Sequence, residues 1–367
     1  ALLAGIFAGT ALATKYQALF VVPLIGILVA VDGLRLRGGG REVAMRSAAF
    51  WGAAVAVAVP WYAKNWIVLG NPIWPLFVGG RDFDELAVEL TNYFARGMAI
   101  SPHTPLGYLL LPVAAYLRGS IEQKYVILSP LFIFAIGVIF LPRRRATAYP
   151  LLISGALAIG WAQGFQELRY LLPICAPLSL AAAVALRALA GRGAWRRLTM
   201  PGLYIAAVIT LALTALHVGA DRPVAITLGQ ESRDAYLRAS VTTGPTYRAT
   251  QFLGGVLRDG ERVKFFNDAQ VYYVPYRVEP DHLDLALIAL MERNPQPEQA
   301  LRALQDEGVA YLLVNEGNIR YREQFDPEGR LSGAKAGFDR LAAGWEVVHR
   351  DGLAERPSIV IYRIPKR

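Results

Sequence analysis

The chain has a single cysteine, Cys175, set in an apolar run. One thiol excludes an internal disulfide framework and a cysteine-based zinc site. Histidine is almost as scarce, with 4 residues in 367, and His282 and His349 stand alone without metal-ligand spacing. The second part of the chain also lacks a glycine-rich phosphate loop after a strand. Negative charge is what the first part lacks: residues 1–220 hold 18 Lys and Arg against 8 Asp and Glu, whereas 221–367 hold 20 against 21. The formal excess of +9 therefore belongs to the first part. The first residues carry no charged n-region and no small-residue cleavage site, so they do not read as a signal peptide. Ala1 lies inside a hydrophobic run, and the expectation is a chain whose earlier helices precede it.

What is present is apolar. Hydrophobic residues make up 54% and charged residues 18%, with a mean hydropathy of +0.33. That is too apolar for an ordinary globular chain and too dilute for one made only of membrane helices. Two regimes are expected, a transmembrane domain over 1–220 and a soluble domain over 221–367.

A hydrocarbon core about 30 Å thick needs about 17 to 25 mostly apolar residues per helix. Segments 1–13, 17–31, 47–62, 125–141, 147–164, 170–188 and 201–219 approach or meet this, which predicts a polytopic α-helical membrane bundle. Arginine marks three connections: Arg35, Arg37, Arg41 and Arg46; Arg143, Arg144 and Arg145; Arg187, Arg192, Arg196 and Arg197. Basic residues in short loops stay on the cytoplasmic side. Alternation then places Lys15, an external loop at 63–124, the QELR turn and everything after about 220 outside the cytoplasm. No nucleic-acid partner is expected.

In PWYAKNWIVLGNPIWP, residues 60–75, Pro60, Trp61 and Tyr62 read as the outer end of a helix. Their rings suit the headgroup level, and Gly70-Asn71-Pro72 reads as a turn. Segment 76–124 is too polar to span, and two short helices on the outer membrane surface are expected there, one in DELAVELTNYFARGM and one in PLGYLLLPVAAYL. From Asp221 the pattern changes to β-rich runs at 262–267, 271–277, 309–315, 345–350 and 358–364. Helical runs lie between them at 245–258, 281–293, 296–307 and 333–343. This predicts a small α/β domain with a partly parallel sheet, in which Asp268 and Tyr272 are candidates for contact with an acceptor.

Three motifs share the outer side of this topology: GIFAGTALATKYQAL (5–19), the elbow at 60–75 and ELRYLLPICAPL (167–178). Together they resemble the GT-C class of polytopic glycosyltransferases, in the bacterial branch related to protein O-mannosyltransferases and the aminoarabinose transferase of lipid A. The match covers most of 1–220 at motif level and the tail only in layout. It implies a cell-membrane enzyme that transfers a sugar from a polyprenyl-phosphate-linked donor to an unidentified acceptor outside the membrane, among membrane lipid. Such chemistry needs a carboxylate base for the acceptor hydroxyl and a cation for the leaving phosphate. In the family the base sits in the first external loop after the first transmembrane helix, which would precede residue 1, and no catalytic residue is assigned in this chain.

The resemblance carries substrate or lipid-phosphate roles onto Lys15, Tyr16, Lys64, Asn65, Arg169 and Tyr170. The plain alternatives are an interfacial lysine at 15, a headgroup-facing Lys64 and an Arg169–Glu167 ion pair. Asp82 and Asp84 form a D-x-D on the side where a divalent cation or an acceptor would bind, though acidic pairs of that spacing are common in solvated loops, which is the plainer reading. No cofactor is otherwise implied. His103 reads as a turn residue, and Gly5 and Gly9 as a close helix contact. Two rival classes are a transporter or flippase of lipid-linked substrates, which calls for repeated halves and polar mid-helix residues, and a non-catalytic scaffold with a partner-binding tail.

Overall fold

A computed structural model of the chain describes residues 1–367 except 37, 38, 77, 78, 82, 116, 118–144, 165, 192, 222, 273, 275, 282, 354 and 367. The expected span at 125–141, Arg143, Arg144 and Asp82 lie outside the described residues. Two compact units emerge: an apolar unit of Ala1–Val88 with Met98–Ala215, and a sheet unit of Glu89–Gly97 with Leu216–Arg367.

The apolar unit contains α1 (Leu2–Thr14), α2 (Ala18–Arg35), α3 (Gly40–Leu69), the start of α4 (Glu85–Gly97), α5 (Pro105–Ala114) and α6 (Arg145–Gln163). A 3-10 turn at Leu168–Leu171 leads into α7 (Leu172–Ala190), and α8 (Gly193–Asp221) follows. Among the described residues, three stretches, Ala18–Arg35, Gly40–Leu69 and Leu168–Ala188, are long and apolar enough to cross a membrane. Leu2–Thr14, Pro105–Ala114 and Met200–Leu216 are apolar but shorter. The segment expected at 147–164 forms α6 and is not among the three.

Glycine sets the packing of α1 on α3. A methyl group at Gly5 would run into the Phe50 carbonyl, and one at Gly9 into that of Ala54. The G-x-x-x-G spacing thus lets two backbones approach across a stripe of small residues. Phe50 and Ala54 are fully buried there beside Ala8, Val21 and Val22.

The helix expected to end near residue 62 runs on to Leu69, with Pro60 inside it. Proline withholds one donor, and the flanking residues of an apolar segment have every reason to keep their own intrahelical bonds. The stop comes at Gly70, whose φ of 74° is the left-handed cap that a side chain resists, and its N–H reaches the Trp66 carbonyl. At about 1.5 Å per residue, α3 extends about 45 Å, beyond a hydrocarbon core of about 30 Å.

In the sheet unit, α8 is followed by short helices at Pro223–Thr227 (α9) and Arg233–Ala239 (α10), then α11 (Gly244–Val256), β1 (Arg262–Phe266) and β2 (Val278–Glu279). Next come α12 (Ala286–Arg293), α13 (Pro297–Asp306), β3 (Val309–Asn315), α14 (Glu316–Arg322), α15 (Arg330–Ala342), β4 (Glu346–Leu353) and β5 (Arg356–Arg363). The sheet order is β2-β1-β3-β5-β4. β1 pairs in parallel with β2 and β3, and β5 lies antiparallel between β3 and β4. VAYLLV of β3 is an unbroken apolar run because both of its faces are covered, and Tyr311 to Val314 are all buried. Ala249 and Leu253 of α11 pack with Val263, Phe265, Tyr311 and Ile361. Phe266, from the alternate face of β1, meets Phe338 of α15 at 5.9 Å between ring centroids.

Two expectations for these segments fail. The described residues of 271–277 form turns, and the parallel partner of β1 is Val278–Glu279. Val271, Val274 and Tyr276 pack against the core instead, the Tyr276 hydroxyl reaching the Thr250 carbonyl at 3.0 Å; the proline at 275 has no ladder donor to offer. The α4 helix also differs from a membrane-surface helix. Leu90, Tyr93 and Phe94, its apolar stripe, are buried in protein within the sheet unit.

Candidate functional site

Lys15 ends α1 in an extended conformation that breaks the chain between α1 and α2. Its Nζ lies 4.1 Å from the centroid of the Tyr170 ring, and the Arg169 guanidinium carbon lies 5.1 Å from the same centroid. Two cations thus lie against one aromatic ring. Glu167 pairs with Arg169, whose side chain keeps 62% of its surface in contact with solvent. Partial burial and the Arg169 charge push the Lys15 ammonium below its usual range, with Glu167 opposing. Among these three charges the balance is one positive, so the group can attract an anion without being neutralised from within.

The QELR turn is held from behind. The buried Gln166 accepts from the Ser101 N–H at 2.9 Å and donates to the Ala162 carbonyl at 3.2 Å. The Glu167 carbonyl accepts from Trp161 Nε1 at 2.9 Å and from the Tyr170 N–H at 3.0 Å. These bonds set the 3-10 turn that carries Arg169 and Tyr170.

Beside Lys15, the Tyr16 hydroxyl donates to the Trp74 carbonyl at 2.7 Å and accepts from Asn65 Nδ2 at 3.0 Å. Asn65 is buried, and its Nδ2 also points to the Pro72 carbonyl at 3.4 Å. Tyr62 donates to the Leu12 carbonyl at 3.2 Å, and its ring lies 6.2 Å from that of Tyr16. The turn after Gly70 is organised by Asn71, whose Nδ2 reaches the Leu76 and Gly79 carbonyls at 3.0 and 2.6 Å while its Oδ1 accepts from the Ile73 N–H at 3.0 Å. Residues from all three motifs therefore meet: Lys15 and Tyr16, Asn65 and Trp74, Arg169 and Tyr170.

Other sequence candidates lie elsewhere or have other work. Lys64 sits 3.9 Å over the ring of Trp61, one turn back on its own helix, and takes no part in the Tyr16–Asn65 network. Asp84 Oδ1 accepts from the Ala87 N–H at 3.0 Å and so caps the start of α4. Its D-x-D companion Asp82 lies outside the described residues. Among the described residues there is no group of three or more His, Cys, Asp or Glu placed to hold a metal. The His103 ring lies 6.0 Å from that of Tyr108.

In the sheet unit, Asp268 is not presented to an acceptor. It is 2% exposed and accepts from Thr246 Oγ1 at 2.6 Å, Asn315 Nδ2 at 2.7 Å and the Gln270 N–H at 2.8 Å. It belongs to a polar network at the carboxyl ends of β1 and β3. There Asp281 accepts from the N–H groups of Asn267, Leu285 and Ala286, and Asp284 takes Asn318 Nδ2 and the Arg322 guanidinium. Burial raises the carboxyl of Asp268 and pushes that of Asp281 up to about 6. The members span residues 246 to 322, so no local motif announces them. No family model, curated protein or solved structure matches this chain.

Proposed function

We propose that the chain is the membrane portion and external domain of a glycosyltransferase that uses a polyprenyl-phosphate-linked sugar. The observation that carries this reading is the meeting of Lys15 and Arg169 on Tyr170, beside the Tyr16–Asn65–Trp74 network. A phosphate seated between the two cations forms charge-assisted hydrogen bonds and has its developing negative charge stabilised as the sugar leaves. The Tyr16–Asn65 pair ties the residue after Lys15 to the elbow. The acceptor's base is not assigned among these residues. In this reading the apolar helices keep the isoprenoid tail in lipid, and the arginine-marked connections support an arrangement with residues 221–367 outside the cytoplasm.

Binding of undecaprenyl phosphate to the detergent-solubilised chain, read by native mass spectrometry, tests the phosphate site without requiring turnover. A charge-assisted hydrogen bond contributes about 1.5 to 3 kcal/mol, so Arg169→Ala and Lys15→Ala should each weaken binding by roughly ten- to hundredfold. Lys64→Ala should leave it unchanged. Equal affinity across all four proteins would remove this site.

A further inference from the structure

We infer that one end of the sheet unit carries a lipid-inserting face, formed by Val241, Tyr272 and Leu353. This goes beyond the transfer reading and rests only on the part of it that sets the apolar helices in a bilayer.

The sheet register brings the three together. β1 and β3 run in parallel, and β4 runs in the same direction because β5 opposes both β3 and β4. The carboxyl ends of β1, β3 and β4 therefore share one end of the sheet. The start of α11 lies there too, since Thr246 Oγ1 bonds Asp268 just beyond β1. Three segments lie at this end: residues 240–243 before α11, residues 267–272 directly after β1, and Leu353 at the close of β4.

Each loop is tied to its neighbour and presents an exposed apolar side chain. Gln270 Nε2 reaches the Thr242 carbonyl at 3.4 Å, joining the loop of Tyr272 to that of Val241. Arg248 holds Asp351 at 2.6 Å and also donates to the Arg238 carbonyl, joining the hairpin of Leu353 to the same α10–α11 connection. Val241 is 92% exposed, Tyr272 87% and Leu353 76%. Single exposed side chains on three braced loops suit insertion among lipid headgroups better than capture of a folded partner. Tyrosine is also a residue type that favours the membrane interface.

The covalent path of the chain supports a bilayer as the occupant. Phe94, in the Glu89–Gly97 arm, lies 5.7 Å from the guanidinium of Arg322, and Arg322 binds Asp284 at this same end. On both sides of the arm the sequence passes back into the apolar unit, and Leu216 continues directly from the apolar stretch of α8. The arginines that brace the loops are paired, Arg238 with Asp234 at 2.7 Å and Arg248 with Asp351 at 2.6 Å. The face therefore engages lipid by burying apolar surface, and salt should not release it.

The experiment uses the whole chain in nanodiscs, in a Cys175→Ser background. Single cysteines at Val241→Cys, Tyr272→Cys and Leu353→Cys are labelled with an environment-sensitive fluorophore, and doxyl-labelled lipid serves as quencher. All three should emit at shorter wavelength than a label at Asp259→Cys, at the opposite end of the sheet, and should lose intensity to the quencher with no change at high salt. Val55→Cys, on α3, reports the bilayer itself. Quenching at Val55 with the three loops as polar and unquenched as Asp259 overturns this inference alone, and no quenching at Val55 overturns it together with the membrane reading. Blue-shifted but unquenched loops would mean that protein covers the face, which also overturns it.

Discussion

Asp281 shows how a residue can be satisfied and still be strained. Three backbone N–H groups favour its charged form, yet burial outweighs them and pushes the carboxyl up to about 6 from an ordinary 3.8. Between those values the folded unit keeps a proton that the unfolded chain has released. The contribution of Asp281 to stability is thus fully present below the unfolded value and is lost as pH rises through the folded one, by at most about 3 kcal/mol. Asp268 and Glu316, also raised by burial, act in the same direction. Asp281→Asn should flatten part of that slope while lowering stability at neutral pH, because one of its oxygens becomes a donor facing N–H groups. Thermal unfolding followed by near-ultraviolet circular dichroism across the mildly acidic range checks this; an unchanged slope would assign it to other groups.

At the scale of elements, α4 matters most. Within the sheet unit, the Tyr93 hydroxyl donates to Asp326 at 2.5 Å and accepts from the Glu328 N–H at 2.9 Å. Arg330 joins Glu89 at 2.7 Å to Glu292 at 2.6 Å, and its guanidinium lies 5.4 Å from the Tyr93 ring. A side chain at Gly97 would meet the Phe325 carbonyl. A fragment of 221–367 therefore lacks a piece of its own unit. Tyr93→Phe should cost about 1 kcal/mol, since it takes from the half-buried Asp326 carboxylate and the Glu328 N–H their shared partner. Joining residues 85–98 to the fragment through a flexible linker should raise its melting temperature, and Tyr93→Phe in that linker form should cancel most of the gain. Equal melting with and without the arm would show that the arm adds nothing to the fold.

For the whole molecule, the testable property is sidedness. The arginines at 35, 41 and 46 flank the connection between α2 and α3, and Arg187 lies in the last turn of α7. If these connections are cytoplasmic, a reporter that fluoresces only in the cytoplasm should be bright when fused after Arg145 and dark after Arg367. Bright fusions at both positions would overturn the topology proposed for the sheet unit.

The sequence by itself determined the elements whose burial pattern is local. The helices from α1 to α3 and α6 to α8, the strands β1, β3, β4 and β5, and the contact at Gly5 and Gly9 all follow from periodicity, hydropathy and residue size over a few turns. The candidate site was legible in part: Lys15, Tyr16, Asn65, Arg169 and Tyr170 were named from motifs, but only the fold set Lys15 and Arg169 on one ring and turned Lys64 aside to Trp61. Tertiary structure alone decided where α4 belongs, because an amphipathic helix carries the same apolar stripe whether lipid or protein covers it. It likewise decided against a strand among the described residues of 271–277, where Val271, Val274 and Tyr276 found a core to enter without a ladder to join. The Asp268–Asp281–Asp284 network has the same origin, since its members meet only after strands distant in sequence have paired in register.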